Sequence, residues 1–213
     1  MKKNKKGKLD ILFEDKHLLI VNKKGGLPTI KSDNYKDNLY SQVFDYLHKK
    51  NQRVFVVHRL DKDTSGIVVF AKSEKVKNIL QDNWDNVVRN YIAVVHGKTK
   101  EKDTIVSYIK ETKTLLSYST NDKTGKYAKT TYEKIMENKQ YTLLKINIQT
   151  GRKNQIRLHM QDNKTPILGD FSDMNNVHSK KIEKDLFDEY VKRFKRKEGI
   201  LLKRVLYGIV ARK

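Results

Sequence analysis

The chain has 213 residues, and its 46 Lys and Arg against 25 Asp and Glu give a net charge of +21. This excess is far more than solubility requires and indicates a polyanionic partner, with nucleic acid as the first candidate and a lysine-rich proteome as the alternative explanation. The absence of cysteine excludes disulfides, thiol catalysis and thiolate zinc sites, and no apolar run reaches the length of a membrane span.

Short strands and a few helices are predicted as far as residue 170. Residues 11–13 and 18–21 predict a hairpin, and Asn38 is the expected N-cap of a helix with apolar residues at helical spacing. Residues 54–57 and 67–71 are strand candidates, and Ser73 is the expected cap of a second helix. Runs rich in β-branched and aromatic residues predict strands at 91–95, 104–109, 130–136 and 141–148. The chain lacks the regular strand and helix alternation of a parallel sheet.

The last forty residues have a different pattern. Apolar residues on one face predict a charged helix over residues 182–194. An apolar run over residues 200–210 follows and is a candidate strand.

A polar segment lies directly before an apolar strand in HRLDKDTSGIVVFAK, residues 58–72. Asp, Thr, Ser and Gly are ordinary turn residues, so the pattern taken alone favours a structural turn. A catalytic role for Asp61 requires a partner that keeps its carboxylate charged, and Arg59 and Arg157 are the candidates. Asp61 and Asp63 are too close in sequence to flank one glycosidic bond from opposite sides.

Cofactor sites are not indicated. The six histidines show no metal-ligand spacing, and we expect no metal site. Neither a phosphate-binding loop nor a dinucleotide fingerprint occurs, so we expect no nucleotide cofactor.

Six blocks of the chain resemble, in order, the motifs of the RluA-type pseudouridine synthases. HRLDKDTSGIVVFAK is similar to the family pattern H-R-L-D-x-x-T-S-G, which leads into an apolar strand ending in A-K. The other five blocks are ILFEDKHLLIVNKKGGL, RNYIAVVHG, GKYAKTTYEKI, TGRKNQIRLHM and PILGD. Six blocks in the expected order are far more specific than any one of them.

The resemblance implies an α+β fold, with a central, bent, mainly antiparallel sheet, flanking helices and a catalytic cleft. It also implies an isomerase that converts a specific uridine of structured RNA into pseudouridine by base flipping and without a cofactor. Ribosomal RNA is the expected substrate ahead of transfer RNA. By the same resemblance, Asp61 is the catalytic carboxylate, Tyr91 covers the target base and Arg157 is the ion-pair partner of Asp61.

Other residues of the matching blocks are expected to contact the RNA. Arg59, Thr64, Ser65 and Gly66 belong to the turn that presents Asp61, and Lys23, Lys126 and Arg152 are candidate phosphate contacts. Without the resemblance, Tyr91 would be interpreted as a core tyrosine and Arg157 as a solvated helix arginine.

The resemblance also sets the expected organisation. We predict a basic extension over residues 1–9, a catalytic domain over residues 10–170 and a divergent C-terminal segment over residues 171–213. The family's closing strand is not evident in that last segment. A catalytically impaired, synthase-like RNA-binding protein is therefore the alternative, and a DNA-binding regulator ranks behind it. We expect a cytoplasmic monomer with RNA as its partner.

Overall fold

The structure, a computed structural model, describes residues 9–31, 35, 37–114 and 116–169. These residues belong to two compact units, one ending at residue 87 and the other beginning at residue 88.

The first unit is built on a four-stranded antiparallel sheet. Its strands are β1 (Ile11–Glu14), β2 (Leu18–Lys23), β3 (Phe55–Val56) and β4 (Gly66–Ala71), in the order β1-β2-β4-β3. Among the described residues, this unit also contains two helices, α1 (Leu39–His48) and α2 (Glu74–Asp82), and a 3₁₀ turn over Trp84–Asn86. Strands β2 and β4 are paired along their whole length, from Leu18 with Ala71 to Lys23 with Gly66.

Local sequence explains why these elements form. Helix α1 buries Leu39, Val43 and Leu47, which recur every four residues along one face. The side chain of Asn38 accepts a hydrogen bond from Ser41 N at 2.9 Å, so the predicted cap is confirmed. The predicted cap of α2 is also confirmed, because Ser73 Oγ accepts from Val76 N at 3.3 Å.

The second unit is built on a five-stranded antiparallel sheet. Its strands are β5 (Arg89–His96), β6 (Lys102–Glu111), β7 (Ser117–Thr120), β8 (Lys126–Glu137) and β9 (Tyr141–Ile148), in the order β5-β9-β8-β6-β7. Helix α3 (Gln155–Asp162) is the next element along the chain after β9. Its Met160 packs into a core cluster with apolar side chains of β5, β8 and β9.

The predicted α+β class is confirmed by this architecture. The predicted hairpin and the strand candidates before residue 149 are present, whereas β7 was not predicted. The predicted helix over 182–194 and the candidate strand over 200–210 lie outside the described residues. In the part of the chain that the structure describes, no helix is long and apolar enough to cross a membrane.

Candidate active site

Asp61 lies in the loop that connects β3 to β4, which we call the Asp61 loop and define as residues 57–65. Its side chain is exposed, and its carbonyl oxygen accepts a hydrogen bond from Thr64 N at 3.2 Å, which closes a turn. Gly66 begins β4 with a φ of 132°, a conformation that residues with side chains rarely adopt. The segment is therefore a structural turn, as its composition alone predicts, and this turn presents the Asp61 carboxylate.

The Asp61 loop is hydrogen-bonded to Lys23, the last residue of β2. This side chain has 0% exposure, and its ammonium donates to the carbonyl oxygens of Lys24 at 3.1 Å, Leu27 at 2.7 Å and Lys62 at 2.8 Å. Burial lowers the pKa of Lys23 to about 8, and the negative charges of Asp63 and Asp61 oppose that shift. This environment favours a structural part for Lys23 over the predicted phosphate contact, because all three donors already bind carbonyls.

Close packing holds the same loop at other points. His58 Nε2 accepts a hydrogen bond from Val69 N at 3.1 Å, and its ring stacks on Trp84 with centroids 4.6 Å apart. A Cβ atom on Gly25 would lie 3.1 Å from the carbonyl oxygen of Asp63, so a glycine suits this close approach.

The other predicted residues in this loop and at the start of β4 differ in exposure. Arg59 is exposed, Thr64 and Ser65 are half-buried, and Gly66 is buried as the partner of Lys23 in the sheet. Arg59 is thus accessible for the RNA contact that was predicted for it.

Tyr91 and Arg157 belong to the second unit. Tyr91 lies on β5 opposite Ile146 of β9, is half-buried and packs against the core cluster of that unit. Arg157 lies in α3, is half-buried and donates from Nη1 to Asn154 Oδ1 at 3.3 Å. Asn154 precedes the helix with a φ of 56°, in the left-handed region that asparagine tolerates.

A buried polar network that was not predicted holds α3 on the sheet. Gln155 accepts from Thr150 Oγ1 at 2.8 Å and donates to the carbonyl oxygen of Lys129 at 3.0 Å and to Thr130 Oγ1 at 2.9 Å. His159 continues the network, because its Nδ1 is hydrogen-bonded to Thr130 Oγ1 at 2.8 Å and its Nε2 to Ser107 Oγ at 2.9 Å. In the sequence, Gln155 and His159 are one helical turn apart, and the apolar Met160 follows. This spacing is the signal that identifies the face of α3 that packs on the sheet.

The two remaining predicted phosphate contacts are exposed side chains of the second unit. Lys126 begins β8, and Arg152 lies in the connection between β9 and α3, where its Nε donates to the carbonyl oxygen of Tyr127 at 2.9 Å. Exposure makes both residues available to a polyanion.

The predicted site residues thus divide between the two units. The first unit brings together Lys23, Arg59, Asp61, Thr64, Ser65 and Gly66, and the second contains Tyr91, Lys126, Arg152 and Arg157. The pairing of Asp61 with Arg157 and the role of Tyr91 stay predictions. Among the residues that the structure describes, no three His, Asp or Glu side chains cluster closely enough to hold a metal ion.

Comparisons with known proteins support the family that the sequence motifs indicate. The sequence model of the RNA pseudouridylate synthase family matches residues 17–162. An uncharacterised RNA pseudouridine synthase of Bacillus subtilis, YhcT, is 34% identical over 172 residues, which cover 77% of this chain and 57% of that protein. The ribosomal large subunit pseudouridine synthase D of Buchnera aphidicola is 35% identical and is matched over 76% of this chain and 54% of its own. This chain therefore spans little more than half the length of these two relatives.

Further relatives extend the comparison. The tRNA pseudouridine synthase C of Vibrio cholerae is 29% identical, with 81% of this chain and 77% of that protein covered. Among solved structures, human RNA pseudouridylate synthase domain containing 4 is 25% identical with a TM-score of 0.65, over 76% of this chain and 67% of that one. Human RNA pseudouridylate synthase domain containing 1 supports the fold alone, with a TM-score of 0.64 at 19% identity over 84% of this chain and 74% of that one. The chain belongs to the RluA-type family of RNA pseudouridine synthases.

Proposed function

We propose that the protein is an RNA pseudouridine synthase, an isomerase that converts a specific uridine of structured RNA into pseudouridine. The single observation that carries the proposal is the Asp61 loop. It holds an exposed carboxylate on a turn that is fastened by buried contacts, within a block that resembles the family's catalytic motif. A rigidly held reactive group is what a catalytic site requires.

The reaction breaks the bond between N1 of uracil and C1′ of the ribose, turns the base and joins C5 to C1′. The proton on C5 is lost, N1 gains a proton, and no atom is oxidised or reduced. Asp61 acts in its charged form, either by attacking C1′ or by removing a proton from the sugar. Both routes need a carboxylate at this position, so both are tested by neutralising it.

Arg157 and Tyr91 assist Asp61 in this proposal. A guanidinium beside the Asp61 carboxylate favours its charged form against the burial that a bound base imposes. The uracil leaves its helix to be reached, and an aromatic ring such as that of Tyr91 holds an extruded base by stacking. The hydroxyl of Tyr91 is suited to assist loss of the C5 proton.

The proposed substrate is ribosomal RNA ahead of transfer RNA. The relatives include both classes, with a ribosomal large subunit pseudouridine synthase at 35% identity and a tRNA pseudouridine synthase at 29% identity. A net charge of +21 suits either polyanion, and exposed residues such as Lys126, Arg152 and Arg59 provide contacts to phosphates. We propose residues 10–170 as the catalytic domain of a cytoplasmic monomer.

A deletion strain tests this function. Pseudouridine is mapped site by site in the RNA of a strain that lacks the protein and carries the wild-type gene, Asp61→Ala or Asp63→Ala. Asp63 is the matched control, because it is an exposed carboxylate of the same turn. We expect one or more sites to vanish in the deletion and to return with the wild type and with Asp63→Ala only. Survival of every site in the deletion would contradict the proposal and favour a synthase-like RNA-binding protein.

A further inference from the structure

One buried hydroxyl binds both backbone groups of the residue before Asp61. Thr29 is 3% exposed, and its Oγ1 donates to the carbonyl oxygen of Leu60 at 2.6 Å and accepts from Leu60 N at 3.1 Å. Leu60 itself is 6% exposed, so solvent does not replace these partners readily. Thr29 is 31 positions away in the chain, and neither turn chemistry nor strand pairing explains the contact.

Thr29 is in turn anchored to helix α1. The carbonyl oxygen of Pro28 accepts from Leu39 N at 2.9 Å, and that of Thr29 accepts from Tyr40 N at 2.9 Å. The first amides of a helix have no partner within the helix, and these two are satisfied by the segment that carries Thr29. The hydroxyl is therefore attached to one of the regular elements of the first unit.

Asp61 is held from both sides as a result. Thr29 binds the preceding residue, and Lys23 Nζ binds the carbonyl oxygen of Lys62, the following residue. The side chain of Asp61 is exposed between these two attachments. Thr29 holds the peptide group before the Cα of Asp61 through the carbonyl oxygen of Leu60, and Thr64 N holds the one after it through the carbonyl oxygen of Asp61 at 3.2 Å. The direction in which the carboxylate leaves the loop is therefore restricted.

We propose that Thr29 is a positioning residue for the Asp61 carboxylate and that it acts through the backbone of Leu60. This inference rests on the proposed function. The hydroxyl carries the role, so serine retains it, whereas valine, which has the same shape without a donor or acceptor, does not. Misplacement of a reacting group by a fraction of an ångström slows the chemical step more than it weakens substrate binding.

The test compares Thr29→Val with Thr29→Ser in the full chain. Three quantities are measured: the single-turnover rate of pseudouridine formation on the mapped RNA segment, the Kd for that RNA, and hydrogen exchange of the Leu60 amide. For Thr29→Val we expect the rate to fall about 10-fold to 100-fold, with Kd changed less than about 2-fold and faster exchange at Leu60. For Thr29→Ser we expect a rate within about 3-fold of wild type and protection of the amide.

A matched control separates this role from general loss of stability. Thr142 is a buried threonine of the second unit whose Oγ1 donates to the carbonyl oxygen of Gly97 at 2.7 Å. Thr142→Val removes a comparable bond, and we expect its single-turnover rate to match the wild type. If Thr29→Val does not fold, Thr29→Ala and Thr29→Ser form the deciding pair, since both lack the methyl group and only one keeps the hydroxyl.

The outcomes separate the two proposals. A wild-type rate in Thr29→Val, or an equal loss in Thr29→Ser, would overturn the positioning role. Unchanged protection of the Leu60 amide in Thr29→Val would overturn its physical basis. A wild-type protein that isomerises no RNA would overturn the proposed function, and Leu60 exchange would still decide whether Thr29 holds the loop.

Discussion

Lys23 and Lys62 are joined by a hydrogen bond of 2.8 Å, from the ammonium of the first to the backbone carbonyl of the second. The contact joins the end of β2 to the residue after Asp61. Lys23 is fully buried, and its pKa is lowered to about 8 by that burial. Burial of a charged group costs free energy unless the group is hydrogen-bonded, and the three carbonyl oxygens around the Lys23 ammonium supply those bonds.

Replacement of Lys23 by methionine is expected to destabilise the protein. The variant keeps an apolar chain of similar length but leaves the carbonyls of Lys24, Leu27 and Lys62 without this donor. We expect the free energy of unfolding, measured with urea, to fall by about 1 to 3 kcal/mol. Lys24→Met is the control, because Lys24 is its exposed neighbour, and a loss of equal size there would contradict the explanation.

The stability contribution of Lys23 also depends on pH. Because the folded pKa is about 8 and the ordinary value is 10.5, the unfolded chain binds more protons between these two values. The free energy of unfolding of the wild type, relative to Lys23→Met, should therefore rise between pH 8 and pH 10. Urea titrations of both proteins at these two pH values measure the difference, and a difference that stays constant or falls with pH would show that the folded pKa of Lys23 is not lowered.

Because His159 is buried, we expect the free energy of unfolding to fall in acid. Burial lowers its pKa below the ordinary 6.5, although the charge of Asp162 acts in the opposite direction. The unfolded chain then takes up a proton before the folded one, so stability present above pH 6.5 is lost as the pH falls towards the folded pKa. We expect the wild type to lose more stability than His159→Gln between pH 7.5 and pH 5.

Urea unfolding at both pH values checks this expectation. The control is His17→Gln, which makes the same change of side chain at an exposed position. Parallel pH profiles for the wild type and His159→Gln would show that His159 does not carry the effect.

Gly151 is expected to resist substitution because of Arg89. A Cβ atom at Gly151 would lie 2.9 Å from Nη1 of Arg89, a residue that is 4% exposed and whose Nη2 donates to the carbonyl oxygen of Gln149 at 2.7 Å. Gly151→Ala should lower the free energy of unfolding by about 1 to 3 kcal/mol through overpacking. In an Arg89→Lys background the guanidinium is absent, and the added cost of Gly151→Ala should be smaller. Equal costs in both backgrounds would exclude Arg89 as the cause.

Lys126 is expected to contribute to RNA affinity through phosphate contact. Lys126→Gln should raise the Kd for RNA, and the slope of log K against log salt concentration should become shallower by about 0.7 to 0.9. Lys98→Gln is the control, because Lys98 is also exposed but lies outside the matching blocks. Filter binding at several salt concentrations measures both, and identical slopes for the two variants would indicate only a general charge effect.

The helix caps and the first hairpin were predictable because each depends on residues that are close together in the sequence. Asn38 and Ser73 cap their helices with bonds to residues three positions on, and the β1–β2 hairpin follows from two short apolar runs. Strand β7 was missed because SYST carries one large side chain and no apolar alternation. This segment is a strand because it pairs with β6, and the sequence pattern of the segment itself does not indicate that pairing.

The supporting residues of the site were not predictable for the same reason. Thr29 meets Leu60 across 31 positions, and Lys23 meets Lys62 across 39, so nothing in their neighbourhoods indicates the contact. Asp61 itself was predictable only through the resemblance, because its turn is ordinary by composition. Lys23 was a candidate phosphate contact because it lies in a block that matches the family. Lysines are usually exposed, and its burial among three carbonyl oxygens is an exception that the block does not reveal.

We predict that the Asp61 carboxylate performs the isomerisation. The most direct test incubates purified wild type, Asp61→Asn and Asp63→Asn with the RNA segment that carries the mapped uridine. Chromatography of the digested nucleosides then counts pseudouridine. We predict product with the wild type and with Asp63→Asn, and none with Asp61→Asn, although all three proteins bind the RNA with similar Kd. Formation of pseudouridine by Asp61→Asn at the wild-type rate would contradict the account.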